Sequence, residues 1–547
     1  MTEERRTEFD RGPRWLPWVI GVVAAVVYLA TLQRQLFNDG IFFEFKMRFG
    51  GDQLFYNHVL YLPLAKLLQA VVSVVAPIDG EQALKMVAAL TGGAGVALTF
   101  LVARDCLESV RRGVACAALL GTLAAYWFHS TATELHSLHA ACTTLLLLAL
   151  IRAMDRRHLG SIGSCLTLAI GAALAPTSHL SGVCVGLPLV YVWFCAGSAR
   201  TRYTISVVSG LLIFGVAYYA VALRGYMAMS TGMQNVLWED PAKVPHLLKI
   251  SLAEFSLYSA PAAALIPAGL RVLFRTSPMH AWFCVCWMVA WPIVAWPVED
   301  RLMGAYYVPT LPVQALLAIV AMHGACRTWA RAWLIAGLGI LPLFVFVFSS
   351  RADVDHEMVG LLTLGGCATA IFLMAGRTTG EPRGLWLLPI VAFVTTAPHI
   401  INVARLDPHR DRIAEVVEVL ERAEEETGKR PLLIFLATNT AMDHHWKHFF
   451  PGALDDVSRA FNPVELAFHS ESDEFADERL DRYRKAFSDA LTDGRPVFME
   501  GKRDLAFAIA AQNSSLPRMI KFFTALDTAS FPEPGGLPDL LRLSPKR

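Results

Sequence analysis

The sequence predicts an α-helical polytopic membrane protein of about 13 transmembrane helices, followed by a C-terminal α/β soluble domain. Three observations predict it. Residues 1–404 carry thirteen apolar segments, and the short loops between them alternate between arginine-rich and nearly arginine-free. Residues 405–547 then turn charged, with helical and strand periodicities following one another.

The apolar segments run approximately over 15–32, 86–103, 113–129, 135–151, 160–177, 180–196, 203–223, 255–270, 279–298, 303–323, 332–348, 358–376 and 384–403. Each has roughly the 17–25 residues that an apolar helix needs to cross the hydrocarbon. Arginines precede the first segment (Arg5, Arg6, Arg11, Arg14) and follow every even one. These are Arg104, Arg111 and Arg112; Arg152, Arg156 and Arg157; Arg200 and Arg202; Arg271 and Arg275; Arg327 and Arg331; Arg377 and Arg383. The loops at 130–134 and 178–179 hold no Lys or Arg, and those at 299–302 and 349–357 hold one arginine each. Basic loops stay cytoplasmic, so the N-terminus is expected in the cytoplasm and, after an odd number of crossings, the C-terminus outside it. The first segment is long and no A-x-A-like site follows it, which reads as a retained anchor in the cell (inner) membrane.

Composition agrees. Hydrophobic residues are 54% of the chain and charged residues 17%, against roughly 25% charged in soluble domains. The net charge of +1 sums two unlike parts: 28 Lys/Arg against 22 Asp/Glu in 1–404, and 20 against 25 in 405–547. Neither part points to nucleic acid as a partner. All ten cysteines lie between Cys106 and Cys367, where a thiol packs as a small apolar group, and the tail has no disulfide framework.

Residues 59–76 are also apolar but carry Pro63, Lys66 and Gln69, which a lipid-exposed span tolerates poorly. They read as an amphipathic helix along the outer interface. The first outside loop then runs from about Gln33 to Lys85 and holds Asp39-Gly40, Glu44, Asp52 and His58. A carboxylate just past the first span faces the headgroup region, either as a catalytic acid–base group or as a solvated loop acid. The second outside loop brings His129, Thr133, Glu134, His136 and His139. Glu134, His136 and His139 can share one helical face or its edge, suited to a metal, a phosphate or a sugar hydroxyl, or to capping a helix at the interface. His179 follows in the third outside turn, and Arg301 and Tyr306 in a later one. No Asp, Glu, Lys or Arg lies inside any of the thirteen segments. Ion-coupled transporters keep ionisable groups near the midplane, so this distribution favours a site at the outer surface.

The order of these residues resembles a family. An outside acid after the first span, a Pro-containing interfacial helix, Thr133-Glu134-x4-His139 opening the fourth span and a Ser178-His179 turn look like the GT-C superfamily of membrane glycosyltransferases. The branch resembled is the bacterial family related to transmembrane protein O-mannosyltransferases. Asp39-Gly40 stands for that branch's first acid, and His58-x4-Pro63-Leu64 for its second block, without the Pro-Pro-Gly. Thr133–Leu138 matches its fourth-helix motif, and Gly494-Arg495-Pro496-Val497 a late tail motif. The resemblance implies a polyprenyl-phosphate-linked sugar as donor and an extracytoplasmic hydroxyl of a protein, glycan or lipid as acceptor, with inversion. It implies catalytic roles for Asp39, Asp52 and Glu134, and donor or acceptor binding by Glu44, His58, His136, His139, His179, Arg301 and Tyr306. Arg301 suits a phosphate, since guanidinium grips its oxygens bidentately, and it equally suits an interfacial anchor. Arg224 and Arg351 are lesser candidates for the same role. No cofactor is certain beyond the donor, and a divalent metal stays open.

In the tail, residues 409–427 place Ile413, Val416, Val417, Leu420 and Ala423 on one helical face. Strands are expected at 431–436 and 496–499, and helices at about 476–492 and 502–512. No Walker loop or Gly-x-Gly-x-x-Gly follows either strand, so nucleotide binding is not supported. His444 and His448 stand at a metal-compatible spacing, but Trp446, Phe449 and Phe450 interleave them, as in an aromatic loop at a membrane surface. The rival functions are a transporter or flippase for lipid or polymer intermediates, and a membrane anchor whose outer domain binds a partner. The topology has its own test. A reporter active only outside the cytoplasm should work when fused after Arg547 and stay silent in the 152–158 loop; the reverse pattern would mean that 59–76 spans the membrane.

Overall fold

Hydrocarbon leaves no partner for an open backbone group, so apolar runs of this length close their hydrogen bonds within helices. The computed structural model has helix in all thirteen apolar segments. It describes residues 12–34, 59–154, 161–221, 244–295, 304–326, 328–349, 354–375 and 384–405, with positions 40, 43 and 47. In the C-terminal part it describes 418–419, 422–429, 432–435, 489–490, 492–500, 526–530 and 540–545. The helices are α1 (Leu16–Ala30), α2 (Tyr61–Val72), α3 (Gly80–Leu107), α4 (Val110–Thr122), α5 (Ala124–Thr131), α6 (His136–Met154), α7 (Ile162–Ser178) and α8 (Gly186–Cys195). They continue with α9 (Arg200–Val221), α10 (Val244–Ser256), α11 (Ala262–Thr276), α12 (Pro278–Ala295), α13 (Leu311–Ala325), α14 (Trp329–Ser349), α15 (His356–Met374) and α16 (Leu387–Arg405).

Among the described residues, six helical stretches are long and apolar enough to cross a membrane alone, and the pair α4–α5, bent by 65°, makes a seventh if taken as one broken span. The chain is a multi-pass membrane protein. The expectation of thirteen unbroken spans is thus met in its coarser form. Segment 113–129 breaks at Leu123, whose backbone is extended. Segments 180–196 and 303–323 open with the 3₁₀ turns Leu180–Val185 and Ala305–Thr310. Segment 255–270 is divided between α10 and α11, and α11 starts directly after Pro261, which has no N–H to extend the preceding helix. Residues 59–76 form α2, which buries Tyr61, Leu62 and Ala65 and exposes Leu67 and Val71. Pro63 sits in its first turn, where the missing N–H costs nothing.

Small residues set the closest approaches. A Cβ on Gly93 of α3 would stand 2.8 Å from the Ala25 Cβ of α1. On the same helix Gly92 and Gly95 leave room for Ser130 and Tyr126 of α5. Tyr126 Oη donates to Gly92 O at 2.9 Å, and Tyr28 Oη donates to Gly121 O at 3.1 Å. Phenols paired to backbone carbonyls thereby fix the short helix α5 against α3 and α1 against α4.

The described residues divide into two compact units, with the helices up to Arg405 in one and the strands in the other. Strands β1 (Leu432–Phe435), β2 (Val497–Glu500), β3 (Leu526–Ser530) and β4 (Leu540–Pro545) form one sheet in the order β1-β2-β4-β3. β1 pairs parallel with β2, Leu432 opposite Val497, and β4 runs antiparallel to both its neighbours. β1 and β2 fall on the two apolar runs read as strands; β3 and β4 coincide with no strand expected from the sequence.

Gly269 of α11 faces the Leu317 backbone of α13, so any Cβ there collides with main chain. Gly269→Val should destabilise the protein by about 1–3 kcal/mol, as overpacking does, and lower its thermal midpoint in detergent. Gly215→Ala, with nothing within 4 Å of the new carbon, should match or exceed wild type. Equal midpoints for Gly269→Val and wild type would show that α11 and α13 do not pack this closely.

A candidate active site at one end of the bundle

Buried charge in an apolar bundle is costly unless it is paired, so its location is informative. Among the described residues, four charged side chains are buried: Glu81, Lys85, Glu134 and Glu254. All four belong to one end of the helical unit. Glu81 and Lys85 are ion-paired across the first turns of α3. Glu134 lies in the bend at 132–135 that leads into α6. The negative charge of Glu134, after burial itself, pushes the pKa of the Tyr61 phenol well above its ordinary value, which brings α2 against the bend. Tyr61 Oη donates to Leu84 O at 3.2 Å, next to Lys85. Glu254, near the end of α10, accepts from Gly304 N–H. Gly304 has φ +75°, and a Cβ there would sit 2.8 Å from the Glu254 carbonyl oxygen, so glycine is required at this turn.

That turn presents Tyr306 to the imidazoles. His136 is the centre of the cluster: its ring lies 5.0 Å from His129, 6.0 Å from His179 and 5.9 Å from Tyr306, centroid to centroid. His139 lies 5.2 Å from His179 and meets Trp291 of α12 edge-on at 5.5 Å. The bend itself is held from α1's side. Gln33 Nε2 donates to Phe128 O and to Thr131 Oγ1, both at 2.8 Å, and Gln33 N donates to Thr131 O at 3.1 Å. The last of these bonds satisfies a carbonyl that the end of α5 would leave open.

The hydrogen bonds around His139 define its protons. Ser178 Oγ donates to Ala175 O at 2.8 Å, so it accepts from His139 Nδ1–H at 2.9 Å. His179 Nδ1 accepts from Ser181 N–H at 3.1 Å and lies 2.6 Å from Ser181 Oγ. His139 Nε2 stands 3.2 Å from the same Ser181 Oγ. Ser181 therefore has one hydroxyl proton for two ring nitrogens. Given to His179, it leaves an oxygen lone pair facing His139 Nε2, a ready place for an additional proton. Burial pushes the pKa of His179 down to about 4, in keeping with a neutral ring that accepts at Nδ1.

Five sequence candidates, Glu134, His136, His139, His179 and Tyr306, are thus brought together. Glu134 is not on the face of α6 with the histidines, because the helix begins only at His136. Asp39, Glu44, Asp52, His58, Arg301, His444 and His448 lie outside the described residues, as do Arg224 and Arg351. Among the described residues, no three His, Cys, Asp or Glu are placed to hold a metal ion; the imidazoles meet ring to ring. The sequence does not single out Glu81, Lys85, Tyr61, Ser181 or Glu254. For the first two a signal existed: they stand four apart at the mouth of an apolar segment, which puts opposite charges on one helical face.

The fold has relatives among solved structures. ArnT from Cupriavidus metallidurans in the apo state matches with TM-score 0.59 at 15% identity, over 97% of each chain. ArnT bound to undecaprenyl phosphate matches with TM-score 0.51 at 14% identity, over 97% of this chain and 98% of the other. A weaker likeness, TM-score 0.47 at 12% identity over 96% of this chain and 73% of the other, is to the oligosaccharyltransferase of Archaeoglobus fulgidus. No family model matches the sequence, and no curated protein matches it significantly. At these identities the similarity is one of fold alone.

The ordinary pKa of histidine is 6.5, and that of His179 lies below it. Between those values the unfolded chain binds the proton that the folded site refuses. The neutral ring's contribution is complete above about pH 6.5 and is lost as the pH falls towards 4. His179→Gln should flatten the fall in thermal midpoint over that window relative to wild type. Parallel curves would show that this ring is not buried neutral.

Proposed function

We propose that the protein is a GT-C-type glycosyltransferase. It moves a sugar from a polyprenyl-phosphate-linked donor to an extracytoplasmic hydroxyl on a protein, glycan or lipid, with inversion at the anomeric carbon. The observation that carries this reading is the convergence of every described buried charge with four imidazoles at one end of a bundle. ArnT, which shares the fold, has been solved with undecaprenyl phosphate bound. In this reading that end faces outward, residues 1–404 form the transferase domain, and residues 405–547 form an α/β domain on the same side of the membrane.

The chemistry follows from the groups available. The donor's leaving group is already an anionic phosphate, so it needs positive charge more than a general acid. Arg301 and the buried Lys85 supply it, Lys85 as a point charge held by Glu81 and Arg301 as a fork. Asp39 takes the acceptor's proton as its oxygen attacks the anomeric carbon, with Asp52 as the second acid in the same loop. Glu134 orients the acceptor, and Tyr306, His136, His139 and His179 line the sugar-binding surface together with Glu44 and His58. The additional proton place at His139 lets this surface take up charge without opening to water.

The decisive experiment pairs chemistry with variants. A deletion strain should lose one envelope glycan modification and accumulate the donor lipid, read by mass spectrometry. Purified Asp39→Asn keeps size and hydrogen bonding but cannot accept the proton, so turnover should fall roughly 10²-fold or more. Glu134→Gln should fall less, and Arg301→Ala should impair donor use more than Arg301→Lys. An unchanged envelope, or full activity in all these variants, would remove the chemical basis of the reading and favour a lipid transporter.

A further inference from the structure

Inside a helix, a serine or threonine hydroxyl can satisfy itself by donating to the carbonyl one turn back. At the imidazole end Ser130 does so to Tyr126 O at 2.7 Å, Thr131 to Trp127 O at 3.0 Å, and Thr143 to His139 O at 2.8 Å. Thr133 has no such carbonyl, because it lies in the bend at 132–135 between α5 and α6. Its side chain is fully buried, and its Oγ1 has no hydrogen-bond partner within the chain. Every other buried Ser or Thr hydroxyl among the described residues has one. The bend is tight: the rings of His129 and His136, on either side of it, lie 5.0 Å apart, and Glu134 follows Thr133 directly. Two carboxamide oxygens at the same end are also buried without a donor. Gln33 Nε2 is engaged with Phe128 O and Thr131 Oγ1, and Gln314 Nε2 with Phe255 O at 3.2 Å and Thr310 Oγ1 at 2.9 Å, but neither Oε1 receives a hydrogen bond. A buried polar atom left without a partner destabilises a fold, and valine would fill the space of Thr133 without that loss.

We propose that Thr133 contacts the substrate, its hydroxyl pairing with a hydroxyl of the transferred sugar; this rests on the glycosyltransferase reading. A threonine hydroxyl has one proton to donate and lone pairs to accept with. A sugar hydroxyl has the same inventory, so a single contact meets both needs. The donor's phosphate has no proton to give and calls for cations instead. Its polyprenyl chain offers neither donor nor acceptor. The oxygens of Gln33 and Gln314 call for O–H groups as well, and within the donor only the sugar carries them. The acceptor's attacking hydroxyl gives up its proton in the reaction, so it cannot keep such a pair through turnover.

The test compares wild type, Thr133→Val and Thr133→Ser as full-length protein in mild detergent. The donor is the lipid-linked sugar extracted from the deletion strain, the acceptor is that strain's envelope, and undecaprenyl phosphate serves as the sugar-free counterpart of the donor. Valine keeps the shape of threonine and removes the hydroxyl. Without ligand, Thr133→Val should melt at or above the wild-type midpoint, since no bond is lost. Its KM for the donor should rise about tenfold, the worth of one hydrogen bond, and Thr133→Ser should restore most of the affinity. Stabilisation by undecaprenyl phosphate should be the same in all three proteins. A lowered midpoint without ligand would show that a trapped water already satisfies the hydroxyl, and an unchanged donor KM would show that it does not meet the sugar; either result overturns the assignment. A rise confined to the acceptor's KM, or lost stabilisation by undecaprenyl phosphate, would overturn it by moving the contact to the acceptor or the phosphate. If wild type itself neither transfers sugar from this extract nor is stabilised by it, the glycosyltransferase reading fails first, and this contact falls with it.

Discussion

A polar side chain inside an apolar helical bundle must find its hydrogen-bond partner within the protein, and the rest of this structure follows from that constraint. His139 meets it through Ser178 on one nitrogen and Ser181 on the other, and Ser181 in turn serves His179. These bonds join the start of α6 to the turn after α7. Because the serines have few protons to share, the imidazoles are locked in orientation, and the aromatic edges of Trp291 and Tyr306 close around them. A single serine thereby links two imidazoles whose protonation states depend on one another.

The geometry also depends on what is missing from α3. Its glycines at 92, 93 and 95 allow α1 and α5 to come in on two faces, closer than any side chain permits. The short helix α5 is then too near to continue straight, and the chain breaks at Leu123 and turns again at 132–135. That second turn is where Glu134 sits. The position of a candidate catalytic carboxylate is therefore set by helix packing about one turn away, and Gln33 holds the turn in place through its amide.

Hydropathy made the helices legible, because a span needs a long apolar run whatever its neighbours do. The helix α2 was legible for the same reason. His136, His139, His179 and Tyr306 could be read as candidates since polar groups stand out beside apolar segments. Their mutual contacts could not, because they come from three turns separated by up to 170 residues of chain. Ser181 and Glu254 were not singled out, since neither belongs to a recognisable motif; the pairing of Glu254 with Gly304 emerges in the folded chain. Breaks within segments were hidden as well, since a bent or 3₁₀ stretch can be as apolar as a straight one. The strands β3 and β4 have no strong alternation to announce them.

The two ends of the bundle divide the electrostatics between them. At one end buried carboxylates and a lysine are held among imidazoles, a setting in which protons can be exchanged. At the other, Arg104 and Arg152 share the Asp105 carboxylate, and guanidiniums remain charged at any pH a cell experiences. The first arrangement suits a reaction in which a hydroxyl must lose its proton; the second is a fixed network of ion pairs. Among the described residues, the helices carry no ionisable Asp, Glu, Lys or Arg between these two ends, since lipid and packed core alike exclude it. The buried carboxylates of one end and the arginine network of the other are thus kept apart by the length of the helices.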